Sequence, residues 1–501
     1  MTLERSPRLD LAVGLGAAGL SGLMLWVMRD VVNDDAYITY RYAQNLALGR
    51  GFVFNPGEAV LGTTAPLHGL LLGALATIHA DIALNALLVG YAACVALAFF
   101  AYRVLAGAGL AFGGIVAALL LLSSSATYDH VPLETPLVAA LLLAALAFAQ
   151  ERRFHALCLA LALAVLVRAD SALFALVLVG WIARSADERR SLLRSAPLFL
   201  LPLLAWFCFA WLRYGSPLPN SASMKSGWSG HALTFVGSFW ERGLALLLAE
   251  PWLSVLGTPF VVAGAAWSFR REHRRVLPVL VSFWCCYVAV YTALRIFWPH
   301  TWYYYPLHVV HCLLFGLGFK RALRAVQVAV ARAPGGAELG AVNRRFRISP
   351  RSISAAAVTL VGGLVALGAS AVWSDALGIP SEFFAGGRDA LYRAAAGWLR
   401  QNPERCARIA SLEVGTLAYH SDRVFIDRMG LVTPRAGAEM KRTQRRDASI
   451  DWTIREFHPD CLIFAGGARP WPKLVPGAPE YVLERVFRHA ASGSELSVYA
   501  R

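Results

Sequence analysis

Apolar runs of about 14 to 20 residues recur from Leu11 to Val372 and then stop, and the last 129 residues contain none. Segments of that length and apolarity are solvated by lipid, so the pattern leaves few folds open to this chain. Only 16% of its residues are charged, against about a quarter in soluble proteins, which excludes an ordinary water-soluble enzyme. The reading is a polytopic α-helical membrane domain over 1–372, followed by a soluble domain over 373–501.

Spans are expected near 11–28, 83–102, 107–123, 135–150, 154–167, 170–183, 196–212, 251–269, 277–294, 304–319 and 353–372, about eleven in all. If Arg5 and Arg8 are cytoplasmic, the cytoplasmic segments hold twenty-one basic residues and the opposite side, before the tail, holds eight. The net charge of +15 therefore reads as topology, not as a nucleic-acid footprint. An odd number of spans places the tail outside the cytoplasm. The apolar run 65–80 is read as a re-entrant or interfacial helix in a first external loop spanning 29–82. The first apolar run has no cleavage site after it and is read as a retained span. Six of the eight cysteines sit in spans, as small hydrophobes do. Cys406 and Cys461 lie in the tail, where an extracytoplasmic location permits a bridge, but their spacing alone does not fix one.

In the tail, an amphipathic helix is expected over 386–400. Four short apolar segments, 407–412, 423–428, 460–466 and 495–501, alternate with helical stretches at 413–420 and 448–457. That alternation predicts a small α/β domain with a mainly parallel sheet. Gly466-Gly467 lacks the spaced glycines of a nucleotide site, and Asp427, with Gly430 and Leu431 in IDRMGL, is the tail's one candidate for chemistry.

Chemistry is concentrated at the opposite end of the chain. Asp34 and Asp35 follow the first span, and Tyr37, Tyr40, Arg41 and Gln44 lie on one side of the helix expected after them. Adjacent carboxylates at a membrane surface resist desolvation and repel each other, so they are used, paired or spent as helix caps. Further charge falls at the same membrane face: Glu134, Arg168, Asp170, Lys225, Arg295 and His300. Each also has a structural reading, as an ion pair for Arg168 with Asp170, a helix-terminal carboxylate for Glu134, and lipid-phosphate contacts for Lys225 and Arg295. Trp298, Trp302, Tyr303, Tyr304 and Tyr305 read first as an interfacial aromatic belt and second as a sugar platform.

The run DDAYITYRYAQNLALGRGFVFNPGE, continued to His68, resembles the first external loop of the glycosyltransferase C superfamily, in particular the mycobacterial terminal arabinofuranosyltransferases. The resemblance continues through LETPL, LVRAD, YGSPLPNSASMK and EVGTLAYHSDRVFIDRMGL, covering most of the chain in order. Two segments depart from it: Ala169-Asp170 where relatives often have Pro-Glu, and Pro132-Leu133-Glu134-Thr135 where they often have Gly-Met-Glu-Thr. Membership implies transfer of a sugar, arabinofuranose above all, from a polyprenyl-phosphate donor to a glycan, lipid or protein acceptor, at the outer face of the bacterial cytoplasmic membrane. It implies Asp34 as general base, with Asp35 as orienting partner or second acid. Lys225, Arg168, Arg295 and Arg41 are then the phosphate ligands, and Glu134, Asp170, His300, Tyr37 and His68 the sugar or acceptor contacts. Asp34, Asp35 and Glu134 offer oxygen ligands suited to a divalent cation, which monophosphate donors do not require. Two other classes fit the topology: a flippase or transporter, which has no inverted repeat here to support it, and a polymer ligase, whose active loop belongs late in the membrane domain.

Overall fold

Runs rich in Leu and Ala carry few polar groups that must reach water, so they fold as helices that satisfy their own backbone, and one of them, Ala186–Tyr214, accommodates Pro197 and Pro202 in its interior. A computed structural model describes residues 5–27, 33–225, 257–270, 276–294, 300–332, 359, 362–363, 387–444, 446–465, 481–490 and 492–501. The expected span 353–372 and the boundary at 372/373 fall almost wholly outside them. Among the described residues, three helices are long and apolar enough to cross a bilayer: Pro7–Val27, Ile82–Ala106 and Ala186–Tyr214. Ala111–Ser123, Thr135–Gln150, Phe154–Val167 and Pro278–Ala293 are shorter apolar helices packed beside them. The helix Pro66–Ala76 is about 16 Å long, too short to cross a bilayer of about 30 Å.

Basic segments distant in sequence gather at one end of the bundle. Arg5 and Arg103 both pair with Asp10, Arg103 also pairs with Glu151, and Arg152 pairs with Glu188 at 3.3 Å. The bundle core is a continuous Leu, Ala, Val and Phe cluster running from Leu97 to Phe319.

In the tail, the helix Arg388–Gln401 leads into a five-stranded sheet: β1 (Arg408–Ser411), β2 (Val424–Asp427), β3 (Cys461–Ala465), β4 (Val482–Arg488) and β5 (Glu495–Ala500). Their order is β2-β1-β3-β5-β4. β1 runs parallel to β2 and to β3, but β5 is antiparallel to both β3 and β4. The sheet is therefore mixed where a mainly parallel one was expected. The difference comes from β4, whose burial does not alternate and which the apolar pattern did not show. Cys406 and Cys461 form a disulfide across the start of β3, with Cα atoms 5.1 Å apart. That settles the bridge left open by spacing.

The two faces of this sheet have different neighbours. Ala410, Ile426, Leu462 and Tyr499 pack with Ile454 inside the tail. The other face shares its cluster with the membrane domain's first loop: Ile38, Tyr42, Phe52, Phe54 and Leu61 meet Leu391, Ile409, Leu417, Phe425, Val432 and Val498. Loop and tail therefore lie on the same side of the bundle.

Candidate active site

The helix Phe154–Val167 ends because Arg168 adopts extended backbone (φ −150, ψ 121) before a short 3-10 turn over Ala169–Ser171. This break separates the two expected spans on either side of it and frees Arg168 and Asp170 from the regular helix. They form the floor of a cavity of about 530 Å³, walled by Asp35, Ile38 and Thr39 of the loop helix Asp34–Ala47. Thr63, Thr64, Glu134, Ser221, Tyr291, Trp302, Tyr303 and Leu431 complete much of the lining.

The charges in the cavity are organised around the arginine. Arg168 Nη2 donates to Asp170 Oδ2 at 2.7 Å and its Nε to Oδ1 at 3.2 Å, a two-point pair. Tyr291 donates its hydroxyl to the same Asp170 oxygen at 2.6 Å, fixing the carboxylate from the other side. Glu134, at the N-terminal boundary of the helix Thr135–Gln150, puts Oε1 3.7 Å from Arg168 Nη1. That nitrogen is buried and makes no hydrogen bond among the described residues. A buried guanidinium donor left open beside a cavity suits an anion or a sugar hydroxyl.

The loop helix has two working faces. Asn33 caps it by accepting from the Asp35 amide at 3.0 Å, so neither aspartate is spent as the cap of this helix. Asp35, Ile38 and Thr39 face the cavity. Asp34, Tyr37, Arg41 and Gln44, spaced three or four apart, face the tail. The Asp34 carboxylate accepts from the amides of Gly415 (3.1 Å) and Thr416 (2.7 Å), the first residues of the helix Gly415–Ser421. Arg41 is fully buried and pairs with Asp422 at 2.6 Å, while Tyr37 accepts from Arg393 at 2.6 Å and packs against Tyr419 and His420. Burial pushes the Asp34 carboxyl up from its usual value, and the neighbouring Asp35 adds to this against the two amide bonds. Burial also raises Glu413, with Asp34 and Asp35 adding to the shift.

Of the residues marked in the sequence, the fold brings Asp35, Glu134, Arg168 and Asp170 to one cavity. Asp34, Tyr37 and Arg41 instead bind the tail, so an oxygen cage of Asp34, Asp35 and Glu134 is not assembled. Among the described residues no three His, Cys, Asp or Glu side chains lie close enough to hold a metal ion. His68 is buried and outside the cavity lining, and His300, also outside it, stacks on Trp302 (4.2 Å, 11°). Arg295 and the side chain of Lys225 lie outside the described residues. Asp427, the tail's candidate, is wholly buried and accepts from the amides of Met429, Leu431 and Val432. It shapes a turn and has no access to a substrate.

Sequence reasoning missed Thr39, Thr63, Ser221 and Tyr291. Tyr287 and Tyr291, four apart in an otherwise apolar span, were the available signal, since a buried phenol needs a partner. Of the marked IDRMGL segment it is Leu431, not Asp427, that reaches the cavity, because the tail folds back over the loop.

A family model for a domain of unknown function, DUF8728, matches residues 383–499. No curated protein matches the sequence. Among solved structures, ArnT from Cupriavidus metallidurans bound to undecaprenyl phosphate is similar over 98% of this chain and 97% of that one, at 16% identity and a TM-score of 0.61. The oligosaccharyltransferase of Archaeoglobus fulgidus tethered with an acceptor peptide is similar over 92% of this chain and 69% of that one, at 12% identity and a TM-score of 0.58. AglB from the same organism, in complex with an inhibitory peptide and a dolichol-phosphate, is similar at 13% identity over 91% and 69%, with a TM-score of 0.57. At such identities the likeness is one of fold, shared over nearly the whole of this chain.

Proposed function

We propose that this protein is a membrane glycosyltransferase that moves a sugar from a polyprenyl-phosphate donor to an acceptor hydroxyl in the Arg168 cavity. The observation that carries this reading is the meeting of one carboxylate, Asp35, with a buried guanidinium in a mostly apolar chamber. Asp35 takes the proton of the acceptor hydroxyl as its oxygen attacks the anomeric carbon. The bond from that carbon to the phosphate oxygen breaks, and Arg168 stabilises the charge gathering on the leaving phosphate. Glu134 and Asp170 hold Arg168 and accept hydrogen bonds from sugar hydroxyls, and Trp302 and Tyr303 offer rings for the sugar face. One displacement inverts the anomeric centre.

A route for the lipid tail supports the donor class. Thr63, Thr64, Ala169 and Pro219 line both the cavity and a narrow neck of about 20 Å³. Phe207, Pro217 and Leu218 continue from the neck into an apolar groove with Cys208, Trp211 and Leu212, on the exposed flank of the helix Ala186–Tyr214. A polyprenyl chain is matched to such a flank, and one structure of like fold is described as bound to undecaprenyl phosphate. Arabinofuranose is the first sugar to test, by the resemblance of the first loop. The cytoplasmic membrane, with loop and tail on its outer face, is the location that the basic-residue asymmetry and the disulfide support.

The test is single-turnover transfer in nanodiscs, with a panel of polyprenyl-phospho-sugars and a mixed envelope acceptor extract. One donor consumed with inversion is the expected result. Retention of configuration overturns the single displacement, and movement of labelled lipid across a vesicle without transfer favours the flippase class.

A further inference from the structure

The helix Gly415–Ser421 begins at Val414, a residue with no side-chain acceptor, so its first amides lack a local cap. Asp34 supplies the missing oxygens from another element of the chain, at 2.7 and 3.1 Å. Glycine is required at 415 for this approach, because a Cβ there would collide with the Asp34 carbonyl oxygen. The same helix is joined to the loop helix by the Arg41–Asp422 pair and by Gln44 donating to the Tyr419 carbonyl.

A second junction lies beyond the cavity. Asn55 exchanges two hydrogen bonds with the Phe425 backbone at 2.9 and 3.0 Å. Asn220 donates to the carbonyls of Gly430 and Leu431, and its own amide donates to Leu61. The turn shaped by Asp427 thus sets Leu431 in the cavity wall, against Gly62, whose Cβ would meet Val432 at 2.5 Å.

We infer that Asp34 is a positioning residue, which aims Asp35 into the cavity by capping a helix of the C-terminal domain. The domain is a working wall of the active site, with Leu431 its contribution to the lining. The inference rests on the glycosyltransferase reading with Asp35 as base. A helix advances about 100° per residue, so a carboxylate clamped to the tail at 34 directs its neighbour at 35 to the adjoining face. Loosening the clamp moves the base by a fraction of an ångström to an ångström, which is enough to cost about 100-fold in rate.

Substitution by rank separates a cap from a base. Asn and Ser serve as caps nearly as well as Asp, and Ala does not. Asp34→Asn and Asp34→Ser are expected to keep kcat within about 10-fold of wild type, and Asp34→Ala to lose about 100-fold with KM unchanged. Gly415→Ala is expected to reproduce the defect of Asp34→Ala from a site outside the cavity. Equal inactivity of all three Asp34 variants would make Asp34 the base, and wild-type rates for Asp34→Ala would remove it from the site altogether. Amide hydrogen exchange over 414–421 in the full-length protein gives a readout independent of transfer. Protection at Gly415 and Thr416 is expected to fall in Asp34→Ala, whereas Asp34→Asn, whose one amide oxygen still accepts, is expected to keep the shorter bond at Thr416, and unchanged protection in Asp34→Ala overturns the cap. If transfer survives in Asp35→Asn while the exchange result holds, the base assignment fails and the anchoring stands.

Discussion

Asp34 and Asp35 are neighbours in sequence and alike in chemistry, yet the fold gives them different tasks. Asp34 belongs to the face of the loop helix that holds the C-terminal domain, together with Tyr37, Arg41 and Gln44. Asp35 belongs to the face that lines the cavity, with Ile38 and Thr39. One face is held by partners inside the protein, and the other borders open volume. An acidic pair read from sequence therefore does not say which acid borders the cavity; burial and partners decide that.

The largest effects are expected on the cavity side. Asp35→Asn is expected to lower single-turnover transfer by about 10³-fold, within the range of a lost general base, with no change in melting temperature. Arg168→Met should cost about 10² in kcat through the lost phosphate contact. It should also destabilise the protein by about 3 kcal/mol, because Glu134 and Asp170 are left facing each other without their cation. A thermal melt beside the kinetic assay separates the two effects.

On the tail side, stability is expected to change before chemistry. Replacing Cys406 and Cys461 together by Ser opens a crosslink spanning 55 residues, worth about 4 kcal/mol by chain entropy. The tail should melt earlier in the double variant, and wild type under reductant should match it, while the rate at 25 °C stays within a few-fold. The smallest expected effect is at Asp422. Burial raises its carboxyl, but hydrogen bonds from Arg50 and Arg41 outweigh this and hold it below the usual value. A depressed carboxylate stabilises the fold above its unfolded pKa, near 4, and loses that contribution as pH falls through the lower folded value. Asp422→Asn should therefore lower stability by less than about 1 kcal/mol at neutral pH, with the difference closing below about pH 4. A difference that persists at low pH would show that the pair is not what Asp422 contributes.

Much of the architecture was legible because it rests on one-dimensional signals. Apolar length marked the helices, basic asymmetry grouped Arg5, Arg103 and Arg152, and alternating segments marked four of five strands. Within the site, Arg168, Asp170 and Glu134 were legible because charges at the ends of apolar runs have few other reasons to be there. What escaped the sequence was the direction of side chains that meet a partner hundreds of residues away. Tyr37 and Arg41 lie on the polar side of an amphipathic helix, and polarity alone does not distinguish a face turned to substrate from one turned to Arg393 and Asp422. β4 escaped for a related reason, since an edge strand with exposed residues on both faces carries no period-two pattern.

The most direct test of the account is a cryo-EM structure with a polyprenyl monophosphate bound in nanodiscs. The phosphate is expected within hydrogen-bond distance of Arg168, the carboxylate of Asp35 facing the position that the sugar would take, and the first isoprene units along Phe207, Trp211 and Leu212. A phosphate bound elsewhere, with the Arg168 cavity closed or empty, would contradict it.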